Sequence, residues 1–293
     1  MEILLDLLII QKDNNLKKIM KVLEPTVEVI KQEDFSIKGI KKFIEQCARL
    51  SYKSEDKMTD DSYQRFVEML IEKDHARPLE FGTVHLKMNG FDFTNFIADL
   101  AWDGKLNCIW MKWNQVDDMY YITTNYRYFS DICKSDCPVS MEHAFTEEDN
   151  EYYPKRYTAK FVVSRGIMDE FRTHITLSSI AESTRWCNYS KGKFGEEISV
   201  ILPTNLQDVP KDGYKYLNWY DILLYHELNY IELIKENNAP QFARGVLPLD
   251  LKSELIMCGF KDAWDNFFYR RCAIDAHPDA RYIANKLKDI IYG

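Results

Sequence analysis

Hydrophobic positions recur along this chain with two different periods, and the alternation between them outlines a mixed fold. Val27 to Ile30 read as a strand, and Ile40, Phe43, Ile44, Cys47 and Leu50 then keep helical spacing. Thr59-Asp60-Asp61 is a capping signal for a second helix, with Phe66, Met69, Leu70 and Ile71 towards its buried side. Thr83 to Met88 reads as a strand, and Tyr157 to Val163 as a buried one. After a turn at Ser164-Arg165-Gly166, Ile167, Phe171, His174 and Ser178 share one face, which predicts a helix continuing to Ser178. Glu197 to Leu202 alternates weakly and stops at Pro203. A long helix over residues 214–237 follows, with the stripe Tyr216, Trp219, Leu223, His226, Tyr230 and Ile234, and His226 is expected in the core or at an interface. Pro278 to Ile291 closes the chain as an amphipathic helix.

Composition narrows the class. With 293 residues the chain can bury a substantial core, and 46% apolar with 29% charged residues is the balance of a soluble globular protein. A net charge of −8 argues against general nucleic-acid binding, so an anionic ligand needs a local cluster of arginines. Seven cysteines at irregular spacing fit reduced thiols in a cytoplasmic protein. The closest pair, Cys133 and Cys137, is spaced too widely for a zinc knuckle, and no metal is expected. The apolar start carries Glu2 and Asp6 where a signal peptide needs basic residues, and no run reaches the roughly twenty apolar residues of a membrane span. Residues 147–151 are acidic and read as a solvated loop. No repeat, low-complexity tract or Pro/Gly linker interrupts the chain, which points to one domain.

The chemistry concentrates after residue 160. Glu182-Ser183-Thr184-Arg185 places two hydroxyls beside a permanently charged fork, a combination suited to a phosphate ester. The same residues also suit a plain polar loop capping a helix. Their order resembles the signature of the flavin-dependent thymidylate synthases, in which an Arg-His-Arg triplet precedes a Ser-any-Arg element. Here Thr173-His174-Ile175 occupies the triplet and Ser183-Thr184-Arg185 the downstream element. Gln241 to Leu249 resembles the family's Ala-Arg-any-any-Leu-Pro element through Ala243, Arg244, Leu247 and Pro248. Trp264 to Arg271 resembles its final Asn and Arg motif. Upstream, Ser51 stands in a small-residue turn, His75, Pro78 and Glu80 in a His-Pro-Glu block, and Asn125 and Arg127 in an Asn-any-Arg helix start. The likeness spans residues 20–293, leaving 1–19 as an appended helix or tail.

That resemblance implies an α+β fold, a single domain whose mixed or antiparallel sheet is flanked by helices. It implies reductive methylation of dUMP to dTMP, with carbon from methylenetetrahydrofolate and hydride from FAD reduced by NADPH, in a homotetramer with shared sites. By matching motifs, Arg271 polarises the pyrimidine, and Glu170, Ser183, Thr184, Arg185 and Arg244 bind the nucleotide. Ser51, His75, Glu80, Thr173, His174 and Asn266 contact the cofactor, although His75 alone also reads as a cation at a helix C-terminus. Departures fall on the flavin side: Thr173 and Ile175 replace arginines, Ala181 replaces Gln or Glu, Phe260 replaces Asn, and Arg77 replaces a small polar residue. Arg172 stands one position early and carries a charge. Hydroxymethylation of a pyrimidine nucleotide, and nucleotide binding without catalysis, remain alternatives. A cysteine-dependent thymidylate synthase is disfavoured because no Pro-Cys pair occurs.

Overall fold

The computed structural model describes residues 20–133, 141–185, 188–189 and 197–293. The N-terminal extension, Cys137, Trp186, Cys187 and Ser190 therefore lie outside the described residues, as does the Cys133 side chain. The strands are β1 Lys21–Leu23, β2 Thr26–Ile30, β3 Thr83–Asn89, β4 Lys112–Val116, β5 Met119–Asn125, β6 Phe145–Thr146, β7 Arg156–Ser164, β8 Ser178–Ala181, β9 Ser199–Ile201 and β10 Lys252–Phe260. The chain divides into two compact units. One gathers residues up to Pro25, Val163–Ile167 and Ser183–Ser253, and the larger gathers Thr26–Val162, Met168–Glu182 and Glu254–Gly293.

In the larger unit two antiparallel sheets form. One has the order β4-β5-β3-β6, and the other, β2-β7-β10-β8, lies in this unit except for the ends of β7 and β10. The helices Ile37–Arg49, Ser62–Glu72 and Gly90–Trp102 pack against the first sheet. Ile40, Ile44, Leu70, Phe96, Leu86 and Ile122 form its interior. Capping follows the local sequence. Ser36 accepts from the Gly39 amide, Asn89 from the Asp92 amide, and buried Asn125 from the Tyr128 amide, starting the helix Tyr126–Cys133. The expected cap at Thr59–Asp61 takes another form, in which the Ser62 hydroxyl accepts from the Thr59 amide and donates to its carbonyl. That helix buries Tyr63, Val67 and Leu70, while Phe66, Met69 and Ile71 are only half-buried.

An aromatic layer underlies the last helices of this unit. Phe161, Phe171 and Phe267 meet edge to face, at 5.2 Å between the first two rings and 4.9 Å between the last two. Trp264 joins them, fully buried, and donates its indole N–H to the Tyr157 carbonyl at 3.0 Å.

The smaller unit pairs β1 with β9 in parallel and packs them with the helix Tyr214–Lys235. Tyr216, Leu223 and Tyr230 of the expected stripe are buried, and His226 bonds the Val246 carbonyl at 2.7 Å. Glu227 on the same helix is also buried, which the apolar stripe does not predict.

The helix expected to continue to Ser178 ends at Phe171, and Ser178–Ala181 is a strand. β-Branched Thr173, Ile175 and Thr176 follow Phe171 in a stretch that holds only turns. The next four residues gain more by pairing with Leu255–Cys258 of β10. No helix among the described residues is long and apolar enough to cross a membrane, and no group of His, Cys, Asp and Glu among them could hold a metal ion.

Candidate active site

The aromatic layer positions the chemistry of the larger unit. The helix Lys261–Arg271 is anchored through Trp264, Phe267 and Phe268, which leaves Arg271 in its last turn beside the segment after Phe171. There the guanidinium makes four hydrogen bonds to three residues of its own chain. Its Nε donates to His174 Nε2 at 3.0 Å, and Nη1 donates to Glu170 Oε2 at 2.7 Å. Nη2 donates to the Glu170 carbonyl at 2.7 Å and to Thr173 Oγ1 at 3.1 Å. The structure thus brings Glu170, Thr173, His174 and Arg271 together.

His174 is 7% exposed and packs on Phe267 with centroids 5.0 Å apart. Burial lowers its pKa from 6.5 to about 4, with Arg271 and Arg270 adding to the shift. The ring is neutral at pH 7, and a bond accepted at Nε2 from an arginine requires the proton on Nδ1. Thr173 Oγ1 donates to the Glu170 carbonyl at 2.7 Å, so its hydroxyl serves the turn as well as Arg271. Ile175 is 89% exposed and offers no polar atom.

Glu80 belongs to a different network. Its buried carboxylate accepts from Arg127 Nη1 and from the Ser178 hydroxyl, both at 2.6 Å, and its carbonyl accepts from Arg156 at 2.7 Å. Arg127 also lies over the Trp110 ring at 4.8 Å. Sequence reasoning placed Glu80 at a cofactor and left Ser178 and Arg156 without a role. In the structure these residues tie the 77–81 turn to β8, β7 and the helix that begins at Tyr126. Phe260 is buried, with Lys112 and Arg156 over its ring.

Other expected residues are placed individually. Ser51 donates to the Ala48 carbonyl at 2.9 Å, closing the turn after the helix Ile37–Arg49. His75 and Asn266 are exposed. In the smaller unit Arg244 Nη1 donates to the Thr184 hydroxyl at 3.2 Å, which joins two of the residues expected at a phosphate. Ser183 is half-buried, and Arg185 is exposed.

In this α+β protein the aromatic-anchored helix ends in a guanidinium set on a neutral imidazole. The model of the Thy1 family, thymidylate synthase complementing protein, matches residues 155–293. The matched stretch contains Glu170, the 173–185 segment, Arg244 and Arg271. Two solved structures of the UMP/dUMP methylase PolB from Streptomyces cacaoi are similar to this chain. The one bound with 5-Br UMP shows 12% identity and a TM-score of 0.44, covering 94% of this chain and 92% of that one. The one bound with 5-Br dUMP shows 14% identity and a TM-score of 0.42, covering 93% and 92%. No curated protein matches.

A flavin requires hydrogen-bond donors and acceptors at its ring edge and a cation for its pyrophosphate. Exposed His75 and Asn266 supply donors and acceptors, and the Ser51 oxygen retains capacity to accept. Arg172 is half-exposed and paired only loosely with Asp169, at 4.0 Å. By type, these residues are ones a flavin could use. Glu80 is buried, and each of its carboxylate oxygens already accepts one bond from its own chain.

Proposed function

We propose that this chain methylates dUMP at C5 to give dTMP, taking the carbon from methylenetetrahydrofolate and the hydride from FAD reduced by NADPH. The observation that carries this reading is the Thy1 match over residues 155–293, which takes in every residue assigned to the nucleotide.

In this reading the pyrimidine must become nucleophilic at C5, and negative charge develops on its carbonyl oxygens. Arg271 meets that charge with a guanidinium that does not deprotonate. Neutral His174 holds the Nε edge and fixes the fork's direction without adding a competing positive charge. Arg185 and Arg244, with the Ser183 and Thr184 hydroxyls, bind the phosphate, where paired cationic donors outweigh the acidic background of the chain. His75, Asn266, Ser51 and Arg172 would hold FAD, which when bound supplies the hydride that completes the methyl group. The assembly in this reading is a homotetramer.

Exposed Ile175 and the committed Glu80 favour, as the second reading, a nucleotide-binding homologue that has lost the flavin. Purified protein should carry a flavin absorbance band that shifts on adding dUMP, and the complete reaction should yield dTMP by mass. A colourless protein that binds dUMP and remains inactive with added FAD establishes the second reading. A coloured protein giving a hydroxymethylated product replaces methylation with that chemistry.

A further inference from the structure

The four bonds to Arg271 come from residues of its own chain, and three of them have a clear positional purpose. His174 orients the Nε edge, while the Glu170 carbonyl and Thr173 hydroxyl fix Nη2. The fourth is different in kind. The Glu170 carboxylate takes Nη1 at 2.7 Å, and the pair is open enough to exchange, with side chains 17% exposed for Arg271 and 35% for Glu170. The Nη1–carboxylate bond is part-buried, and Thr173 on Nη2 is the exposed partner of the cluster.

From this geometry we infer that Glu170 is an internal competitor for Arg271: the carboxylate occupies the guanidinium in the free protein, and an incoming pyrimidine nucleotide must displace it. This rests on the proposed function for the identity of the nucleotide, and on the structure alone for the restraint of Arg271. The physical consequence is a reduced apparent affinity. If only a fraction of molecules have Glu170 swung away, the dissociation constant rises by the inverse of that fraction. The restraint also selects. A ligand must offer Arg271 a charge-assisted acceptor as good as a carboxylate, which a polarised pyrimidine carbonyl or a phosphate oxygen can do and a neutral sugar cannot.

The alternative role for Glu170 is positioning, in which its carboxylate aims Arg271 at the substrate and its loss weakens binding. The two roles predict opposite signs. Glu170→Gln keeps the side-chain shape and the backbone carbonyl bond while removing the charge, and Glu170→Ala removes the side chain. Two measurements apply to the wild type and both variants, with circular dichroism confirming the fold. One is the rate at which phenylglyoxal modifies Arg271, mapped by peptide mass, and it needs no nucleotide. The other is dUMP affinity by titration calorimetry.

We expect Arg271 to react at least threefold faster in both variants, and dUMP to bind about five- to tenfold more tightly. Unchanged reactivity in both variants overturns the restraint. A freed Arg271 with weaker dUMP binding makes Glu170 a positioning residue and overturns competition. A freed Arg271 with no dUMP binding in any of the three proteins overturns the nucleotide as the displacing ligand, together with the functional reading that supplied it.

Discussion

At the scale of single residues, chemistry is set by what each polar group has left to give. Arg271 is bonded on every nitrogen, Thr184 holds Arg244, and Arg185 projects into solvent. Arg185 is therefore the guanidinium that can engage a phosphate without first breaking a bond to Thr184 or Glu170. Arg185→Ala should weaken dUMP binding by about 1.5–3 kcal/mol, the scale of a charge-assisted hydrogen bond, with helical content unchanged. Calorimetry giving wild-type affinity removes Arg185 from the site. Ile175 offers the complementary test. Its side chain is exposed, so arginine can be accommodated there without repacking. Ile175→Arg should tighten FAD about tenfold, or about 1.4 kcal/mol, through one new charged contact. Fluorescence quenching that shows weaker binding in the variant means that the pocket was built without a cation at this position.

At the scale of elements, much of the fold was legible because periodicity survives wherever one face of an element is wet. The helices over 37–49, 214–235 and 278–292 carry patterns that follow from such half-burial, whereas β3 alternates in sequence with both faces largely buried and β7 is mostly buried. β8 shows no such pattern. Ser178, Ser179 and Ile180 are all buried, so no alternation marks the strand, and Ser178 happened to fall at helical spacing from Ile167. The site was legible in part for a related reason. Motif order singled out Glu170, His174 and Arg271, which the structure brings together, but not which oxygens would be consumed by neighbouring elements. Glu80 is the example, since its partners Arg127 and Ser178 lie 47 and 98 residues away in sequence. Its role as a tie between elements has a measurable consequence. Arg127→Ala leaves a buried carboxylate without its cation and should cost about 3–5 kcal/mol of stability, whereas Ser178→Ala should cost about 1–3 kcal/mol. Denaturant midpoints within experimental error of wild type for both variants would return Glu80 to the list of groups available for a ligand.

At the scale of the whole molecule, the proposed homotetramer predicts a light-scattering mass four times that of the chain at micromolar concentration, and a monomer there counts against shared sites. Stability against pH supplies a second global readout, and here two kinds of buried group pull in opposite directions. Burial lowers the pKa of His174 and of His85 from 6.5 to about 4, even though His85 bonds the Glu148 carbonyl and stacks between Phe35 and Tyr153. Between about pH 6.5 and 4 the unfolded chain binds protons at both histidines and the folded chain does not, so their contribution is complete above 6.5 and is lost as pH falls. Glu227 acts oppositely. Burial raises its pKa from 4.5 to about 7, the Ile198 amide bonded at 2.7 Å opposes the rise, and nearby Glu197 adds to it. From about pH 4.5 to 7 the folded chain keeps a proton that the unfolded chain has released, so stability is lost as pH rises through that window. Glu227→Gln removes the titration, and its amide oxygen can still accept from Ile198. The variant should therefore be the more stable protein at pH 8, by about 1–3 kcal/mol, and should match wild type near pH 4.5. Thermal melts of both proteins across that range test the assignment. A variant that melts below wild type at pH 8 means that ionised Glu227 is satisfied in the folded protein, and the pH dependence then belongs to other groups, the two histidines among them.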